Sequence, residues 1–364
     1  MDAFVVSALK YRPKTFEEVV GQESITQTLE NSLKTNQLAQ ALLFCGPRGV
    51  GKTSCARILA KQINSETPNS DEDFAFNVFE LDAASNNSVE DIRKINEQVR
   101  IPPQVGSHKI YIIDEAHMLS NAAFNAFLKT LEEPPKHAIF ILATTEKNKI
   151  IPTVLSRCQV YDFKRISVQE IQKYLTKIAT NRNLQFEESA LYLIAQKAEG
   201  ALRDALSIFD RMVSFTQGKL SAAAVAENLN LLDHQTYAEL GRLIFKRDIP
   251  ELLKQYDELV QRGIDSLQFI KGFGDHYRNL MLAKDPKTTP LMEVGEAVKE
   301  SYLRDTKEMA TNYLMDAIAL LNTCELNYKT VRNKRVHVEL TLMQLASLHT
   351  DGEKKKGTSF QLVS

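Results

Sequence analysis

Three short stretches carry residue types that do phosphate chemistry. Gly46, Gly51, Lys52 and Thr53 stand at the spacing G-x-x-x-x-G-K-[ST], a phosphate-binding loop. Glycines let backbone N–H groups curl around phosphate oxygens, and the N-terminus of a following helix adds partial positive charge. In such a loop Gly46, Pro47, Arg48, Gly49, Val50, Gly51, Lys52, Thr53 and Ser54 surround the phosphates. Lys52 reaches the β- and γ-phosphates and the Thr53 hydroxyl ligates Mg²⁺. The second stretch ends in the paired carboxylates Asp114 and Glu115. Asp114 is placed to hold Mg²⁺ through water, and Glu115 to orient and deprotonate an attacking water. Alone, such a pair is also what a solvated strand end looks like; beside a phosphate loop the catalytic reading is favoured. The third stretch ends at Thr145. Its hydroxyl is a candidate to bond the attacking water or the γ-phosphate, and a Thr closing a strand is the alternative.

The elements that must position these residues are legible around them. Ala41–Cys45 is an apolar run that stops where the glycines begin, and Cys55, Ile58, Leu59 and Ile63 then recur at helical spacing. Strand, glycine-rich turn and helix thus follow in order. Ile110–Ile113 is four apolar residues in a row, as in a strand buried on both faces of a parallel sheet. Its carboxylates fall at the C-terminal end, where such sheets hold ligands. Ala138–Glu146 and Val78–Asp82 read as further strands of the same sheet. Residues 1–166 are therefore expected to form an α/β nucleotide-binding domain. Residues 167–230 read as a small helical domain: Leu191, Leu193, Ile194 and Ala198, then Leu202, Leu206 and Phe209, supply core faces, with Gly200 between them. From 231 to 350 the pattern is all-helical, with Leu240, Leu243 and Ile244, then Leu252, Leu253, Tyr256, Leu259 and Val260, then Leu314, Ile318 and Leu321, then Val338, Leu342 and Leu345. Residues 351–364 are lysine-rich and polar and are expected to be a disordered tail.

Composition fits a soluble multidomain protein: 364 residues, 43% hydrophobic, 25% charged, formal net charge −1. A nucleic-acid partner would need a local basic surface. Cys45, Cys55, Cys158 and Cys324 have no metal-ligand spacing and read as reduced thiols in or near a core. The first residues carry no secretory cleavage site, and no apolar run approaches the ~20 residues of a membrane span. A soluble cytoplasmic protein is expected.

The segments between these motifs carry a resemblance. They are Tyr11-Arg12-Pro13, Thr15–Gln22, Glu80–Asn86, Ile113–Ser120, Phe124–Pro135, Leu142–Glu146, Ser156-Arg157-Cys158 and Gly200–Ser207. As a set they resemble the gamma/tau subunit family of bacterial DNA polymerase III, the ATPases of the sliding-clamp loader within the AAA+ class, from about residue 8 to about 350. The resemblance implies an α/β P-loop AAA+ module, its parallel sheet flanked by helices, followed by a small helical lid and an all-α collar that joins subunits into a pentamer. It implies ATP and Mg²⁺ as cofactors. Delta and delta-prime subunits, further copies of the chain, the sliding clamp and primed duplex DNA are the implied partners.

Site roles follow from the same resemblance. Arg157 looks like an arginine finger acting in trans on ATP held by a neighbouring subunit. Arg203 looks like the sensor-2 arginine, which reaches the phosphates from the lid; read alone, it interrupts an amphipathic helix face as a surface charge would. Tyr11, Arg12, Val20 and Gly21 fall where the family contacts base and ribose; an N-terminal arm packed on the domain is the plain alternative. DNA is implied to be held by helix N-termini on its phosphates, with Asn86, Ser88 and Arg100 as candidates. A capped helix start, Ser88 as N-cap and Asp91 in the first turn, explains much of that segment without DNA.

The sequence departs from the family in two places. The interval Asn64–Asn77, where the family usually carries a four-cysteine zinc module, has no Cys or His, so no structural zinc is expected. The chain also stops at Ser364 without the extension of tau forms, as a short gamma-like form or a truncated tau would. Two other readings are a delta-prime-type scaffold and a different AAA+ machine, such as a branch-migration helicase or a RecQ-partner ATPase. Intact Gly51-Lys52-Thr53 and Asp114-Glu115 disfavour the scaffold, and Ser156-Arg157-Cys158 with Leu131–Pro135 disfavours the other machine.

Overall fold

The computed structural model describes residues 5–348 apart from 65–76, 105, 230, 231, 233 and 293. The stretch behind the zinc expectation lies almost wholly outside the described residues, and the 351–364 tail lies outside them entirely. The chain divides into two compact units, Met1–Val225 and Ala226–Ser364.

In the first unit the elements run α1 (Ser7–Lys10), α2 (Glu23–Lys34), β1 (Ala41–Cys45), α3 (Lys52–Asn64), β2 (Val78–Asp82), α4 (Val89–Val99), β3 (Lys109–Asp114), α5 (Asn121–Glu132), β4 (Ala138–Thr144), α6 (Pro152–Leu155) and β5 (Gln159–Asp162). Then come α7 (Val168–Asn181), β6 (Gln185–Phe186), α8 (Glu188–Lys197), α9 (Leu202–Phe215), β7 (Lys219–Leu220) and α10 (Ala222–Asn228), which runs across the boundary at Val225. The five long strands pair in parallel in the order β2-β3-β4-β1-β5.

Strand alternation divides the core between the sheet's two faces. Leu43, Cys45, Tyr111 and Ile113 pack with Ile92 of α4 and Phe124 and Phe127 of α5. Leu42, Phe44, Ile110 and Ile112 pack with Leu29 of α2 and Cys55 and Leu59 of α3. Every residue of β1 and β4 is buried, as inner parallel strands require. The edge strand β5 exposes Gln159 and Asp162. It was not anticipated from sequence; nor was the two-stranded β6–β7 ribbon among the helices of residues 168–228.

Helix signals match the sequence where they are local. Ser88 caps α4 in a full capping box with Asp91. Gly200, at φ +83°, separates α8 from α9, and Leu191, Ile194, Ala198, Leu206 and Phe209 are buried.

The second unit is helical: α11 (His234–Lys246), α12 (Ile249–Gln261), α13 (Ser266–Leu282), α14 (Glu296–Asp305), α15 (Thr311–Asn327) and α16 (Lys334–Ala346). Leu240, Ile244, Leu252, Tyr256, Leu314, Leu321, Val338, Leu342 and Leu345 meet in one core. Cys45, Cys55 and Cys324 are buried and Cys158 is half-buried, none in a disulfide. No described helix is long and apolar enough to cross a membrane.

Candidate nucleotide-binding site

The strand order explains how one site can gather residues from distant stretches. β4 lies between β1, which feeds the glycine loop, and β3, which ends in Asp114. Cys45 and Thr144 are register partners, as are Ile113 and Leu142. The loop after β1, the carboxylates after β3 and Thr145 after β4 therefore emerge side by side at the C-terminal edge, where parallel sheets hold ligands.

The loop turns through positive φ at Gly46 (146°), Gly49 (76°) and Gly51 (108°). At Gly46 a Cβ would also collide with the carbonyl oxygen of Phe163, so glycine is required twice over there. Lys52 begins α3 and is only 6% exposed. Its Nζ donates to the carbonyl oxygens of Gly46 and Pro47, both at 2.7 Å, which folds the side chain back over the loop. Burial lowers its pKa, and the nearby Glu115 and Asp114 carboxylates oppose that. The Thr53 hydroxyl donates to Asp114 Oδ2 at 2.8 Å, while Asp114 Oδ1 accepts the Glu115 N–H at 2.9 Å. Two hard oxygen donors thus face each other, the donor type Mg²⁺ takes.

Glu115 holds a left-handed backbone, φ 48°, a conformation non-glycine residues adopt where surrounding structure enforces it. The Thr145 hydroxyl donates to Glu115 Oε2 at 3.2 Å. The same carboxylate oxygen is 3.5 Å from His117 Nδ1, and His117 Nε2 is 3.4 Å from Glu146 Oε1. His117 also contacts the Thr144 hydroxyl at 3.1 Å, and its side chain is 7% exposed. His117 and Glu146 lie within the motifs that carry the family resemblance, but the sequence assigns them no role. Their contact joins residues 29 positions apart through β-sheet register, which periodicity does not encode.

A cavity of about 510 Å³ opens over the loop. Tyr11, Arg12, Val20, Arg48, Gly49, Val50, Gly51, Lys52, Thr53, Ser54, Asp114, Glu115 and Arg203 all line it. Gly46 and Pro47 stand behind it as acceptors for Lys52. Gly21 lies off the lining and packs close to Ile166 and Glu170. Arg12 Nε donates to Ser54 Oγ at 3.3 Å, and burial, then the repulsion of Arg57, lowers its pKa, with Arg203 adding to the effect. Arg203 opens α9, and its backbone N–H donates to the Gly49 carbonyl at 3.3 Å. Its guanidinium makes no hydrogen bond or ion pair among the described residues. A buried lysine, an unpaired arginine and a nested glycine loop around one cavity fit a polyphosphate, and the Thr53–Asp114 oxygens fit its metal.

The N-terminal arm closes the site from the other side. Ser7 donates through N–H and Oγ to the two oxygens of Asp210 on α9, each at 2.6 Å. Arg182, at the end of α7, reaches the same carboxylate at 3.2 Å, and the Tyr174 hydroxyl donates to the Tyr11 carbonyl at 3.2 Å. The Asp210 side chain is 11% exposed. Asp210→Ala is expected to leave Arg182 and the Ser7 N–H without their acceptor, at a cost of about 2 kcal/mol. Calorimetry of the full chain should show the first unit melting roughly 4–8 °C lower. An unchanged melting temperature would mean that this carboxylate does not hold the arm.

Two sets of residues from the sequence stand apart from the cavity. Arg157 follows α6; its Nε donates to Glu132 at 2.9 Å and its NH1 to the Thr153 carbonyl at 2.7 Å. Asn86 and Ser88 lie at the start of α4, whereas Arg100 caps its far end. That helix of 11 residues spans about 16 Å, so the three are not one cluster.

Three family models cover the chain. "DNA polymerase III, delta subunit" matches residues 21–167, "DNA polymerase III clamp loader subunit, ATPase lid domain" matches 170–218, and "DNA polymerase III subunits gamma and tau domain III" matches 220–357. The chain is 40% identical over 351 residues to DNA polymerase III subunit tau of Bacillus subtilis, covering 92% of this chain and 62% of that one. It is 32% identical over 362 residues to DNA polymerase III subunit gamma of Buchnera aphidicola subsp. Baizongia pistaciae, covering 95% of this chain and 97% of that one. Among solved structures it is similar to the RuvB Holliday junction branch migration motor of Thermotoga maritima, with a TM-score of 0.48 and 22% identity over 64% of this chain and 79% of that one. With near-complete mutual coverage of a gamma subunit and family models spanning all but its first residues and last few, the chain belongs to the gamma/tau subunit family of DNA polymerase III.

Proposed function

We propose that this chain is an ATP-driven motor subunit of a sliding-clamp loader, acting in the cytoplasm within a DNA polymerase III holoenzyme. It would bind and hydrolyse ATP with Mg²⁺ to open the clamp and load it at primer–template junctions. The observation that carries the reading is the juxtaposition of Lys52, the Thr53–Asp114 oxygen pair and Glu115 with Arg203 in one cavity. A delta-prime-type scaffold has no use for an intact set of that kind.

The roles divide by geometry. Lys52 would exchange its two loop carbonyls for the β- and γ-phosphates, a charge-assisted pairing. Thr53 and Asp114 would hold Mg²⁺, which supplies charge neutralisation across the phosphates. Glu115 would take the proton of the attacking water, with the Thr145 hydroxyl fixing one of its oxygens. Arg203 would reach the phosphates from α9, so that nucleotide state is felt by the helices of residues 167–230. Tyr11, Arg12, Val20 and Gly21 would flank base and ribose. Arg157 would complete the site of an adjacent subunit.

The reading implies assembly with delta, delta-prime and further copies into a pentamer through residues 231–350, with the lid at 167–230 and the nucleotide domain at 1–166. DNA would be held by its phosphates, with Asn86 and Ser88 at the α4 N-terminus and Arg100 as a separate contact. The chain spans 62% of the Bacillus subtilis tau relative, and tethering functions of longer forms are not assigned to it. The test is steady-state ATPase activity with delta, delta-prime and clamp, with and without primed DNA. Strong stimulation that requires both clamp and primed DNA is expected. Turnover indifferent to both would assign the site to another AAA+ role.

A further inference from the structure

The second unit contains a cavity of about 310 Å³ that the clamp-loader reading leaves unused. One wall is a single stripe of α11: Ala238, Gly241, Arg242, Phe245 and Lys246, at the i, i+3, i+4, i+7, i+8 spacing of one helix face. Opposite stand His276 and Leu280 of α13, with Arg304, Asp305 and Met309 at the rim. Arg242, Lys246 and Arg304 are exposed and have no ion-pair partner among the described residues. Asp305 is the one carboxylate among the lining residues.

The floor carries an imidazole nitrogen with no hydrogen-bond partner among the described residues. His276 is 3% exposed. The Tyr302 hydroxyl lies 3.2 Å from His276 Nδ1. With the hydroxyl donating to Nδ1, the neutral ring carries its proton on Nε2. Burial, with His234 beside it, drops the pKa of His276 to about 3, so the ring stays neutral. Nε2 makes no hydrogen bond among the described residues.

Gly241 opens the way to that N–H. It is buried in the middle of α11, where glycine weakens a helix relative to alanine. Its φ is ordinary for a helix, so the backbone does not demand it. A Cβ there would lie 3.5 Å from His276 Nε2 with no clash. Alanine would therefore fit and strengthen the helix, but it would cover the donor. A buried N–H donor behind three unpaired cations and one carboxylate matches a dianion. Phe245, Leu280 and Met309 give an apolar surface for an organic group, and the volume is at the small end of ligand sites. A phosphate monoester is close to dianionic at neutral pH.

We propose that this cavity binds a small organic phosphate monoester, its phosphate held by Arg242, Lys246 and Arg304 and by the His276 Nε2–H beneath Gly241. The test titrates phenyl phosphate into the full chain by calorimetry at fixed ionic strength. Wild type and Lys52→Ala should bind one equivalent with equal affinity, which separates this cavity from the glycine loop. Gly241→Ala should melt no lower than wild type yet bind at least tenfold more weakly, and Arg242→Ser/Arg304→Ser should weaken binding similarly. Inorganic phosphate should bind more weakly than phenyl phosphate. No saturable binding to wild type, full affinity in Gly241→Ala, or loss of binding in Lys52→Ala would each overturn the proposal. Equal affinity for inorganic phosphate would overturn the monoester.

Discussion

Glu115→Gln is expected to bind ATP about as tightly as the unaltered chain and to hydrolyse it roughly 10²–10⁴-fold more slowly, the range that a positioned general base supplies. The substitution keeps shape and leaves an oxygen to accept the Thr145 hydroxyl, 3.2 Å away in the structure. What it removes is the basic oxygen. Lys52→Ala should behave oppositely, because its ammonium is buried against the loop and would be the cation that pairs with the β- and γ-phosphates; nucleotide affinity itself should fall. His117 discriminates a third way. It touches Glu115, Glu146 and Thr144 but does not line the cavity, so His117→Asn should lower kcat about tenfold with KM unchanged, as expected for a residue that positions the base. Single-turnover hydrolysis beside equilibrium binding of a fluorescent ATP analogue separates the three. A Glu115→Gln chain that hydrolyses within tenfold of normal would remove Glu115 from the base role.

The parts of this site that were legible in the sequence are those fixed by adjacent residues. The glycine loop is one contiguous segment, and β1, β3 and β4 are apolar runs long enough to be read as buried strands. The Ser88–Asp91 capping box is a three-residue offset. What was not legible depends on register and on distance along the chain. β5 has four residues with polar ends, too short for alternation to register. That β4 lies between β1 and β3 is a pairing choice no local pattern states, yet it alone brings Thr145 to Glu115. The Ser7–Asp210 clamp spans 203 positions. Arg203 was ambiguous for the same reason. On a helical wheel it is a surface charge, and only the close approach of α9 to Gly49 turns it into the cavity. In the second unit, apolar periodicity predicted the core. It could not show that Gly241 stands over a buried histidine, since the two lie on different helices.

Arg157→Ala is expected to slow hydrolysis by a factor on the order of 10³–10⁵ in the assembled complex, with ATP binding unchanged. The argument turns on what the arginine must give up. It is tied to Glu132 and to the Thr153 carbonyl of its own chain, and it does not line its own cavity. Glu132 is half exposed, and an ion pair of that kind is worth at most about 1 kcal/mol. A thousandfold or greater gain at a neighbour's γ-phosphate corresponds to about 4 kcal/mol or more. On the trans reading the pair with Glu132 would be a parking position, outbid by a wide margin by the transition state on an adjacent subunit's nucleotide. The decisive experiment mixes Arg157→Ala with Lys52→Ala chains together with delta, delta-prime, clamp and primed DNA. Each variant alone should be nearly inactive. If the finger acts in trans, mixed assemblies recover activity, because the Lys52→Ala subunit still offers its arginine to the intact loop of its neighbour. If the arginine served its own loop, every subunit in the mixture would lack one essential group and no recovery would occur. Glu132→Gln sharpens the outcome: by releasing Arg157 it should leave the rate unchanged or raise it slightly, whereas a large loss would mean that the arginine works from its present position.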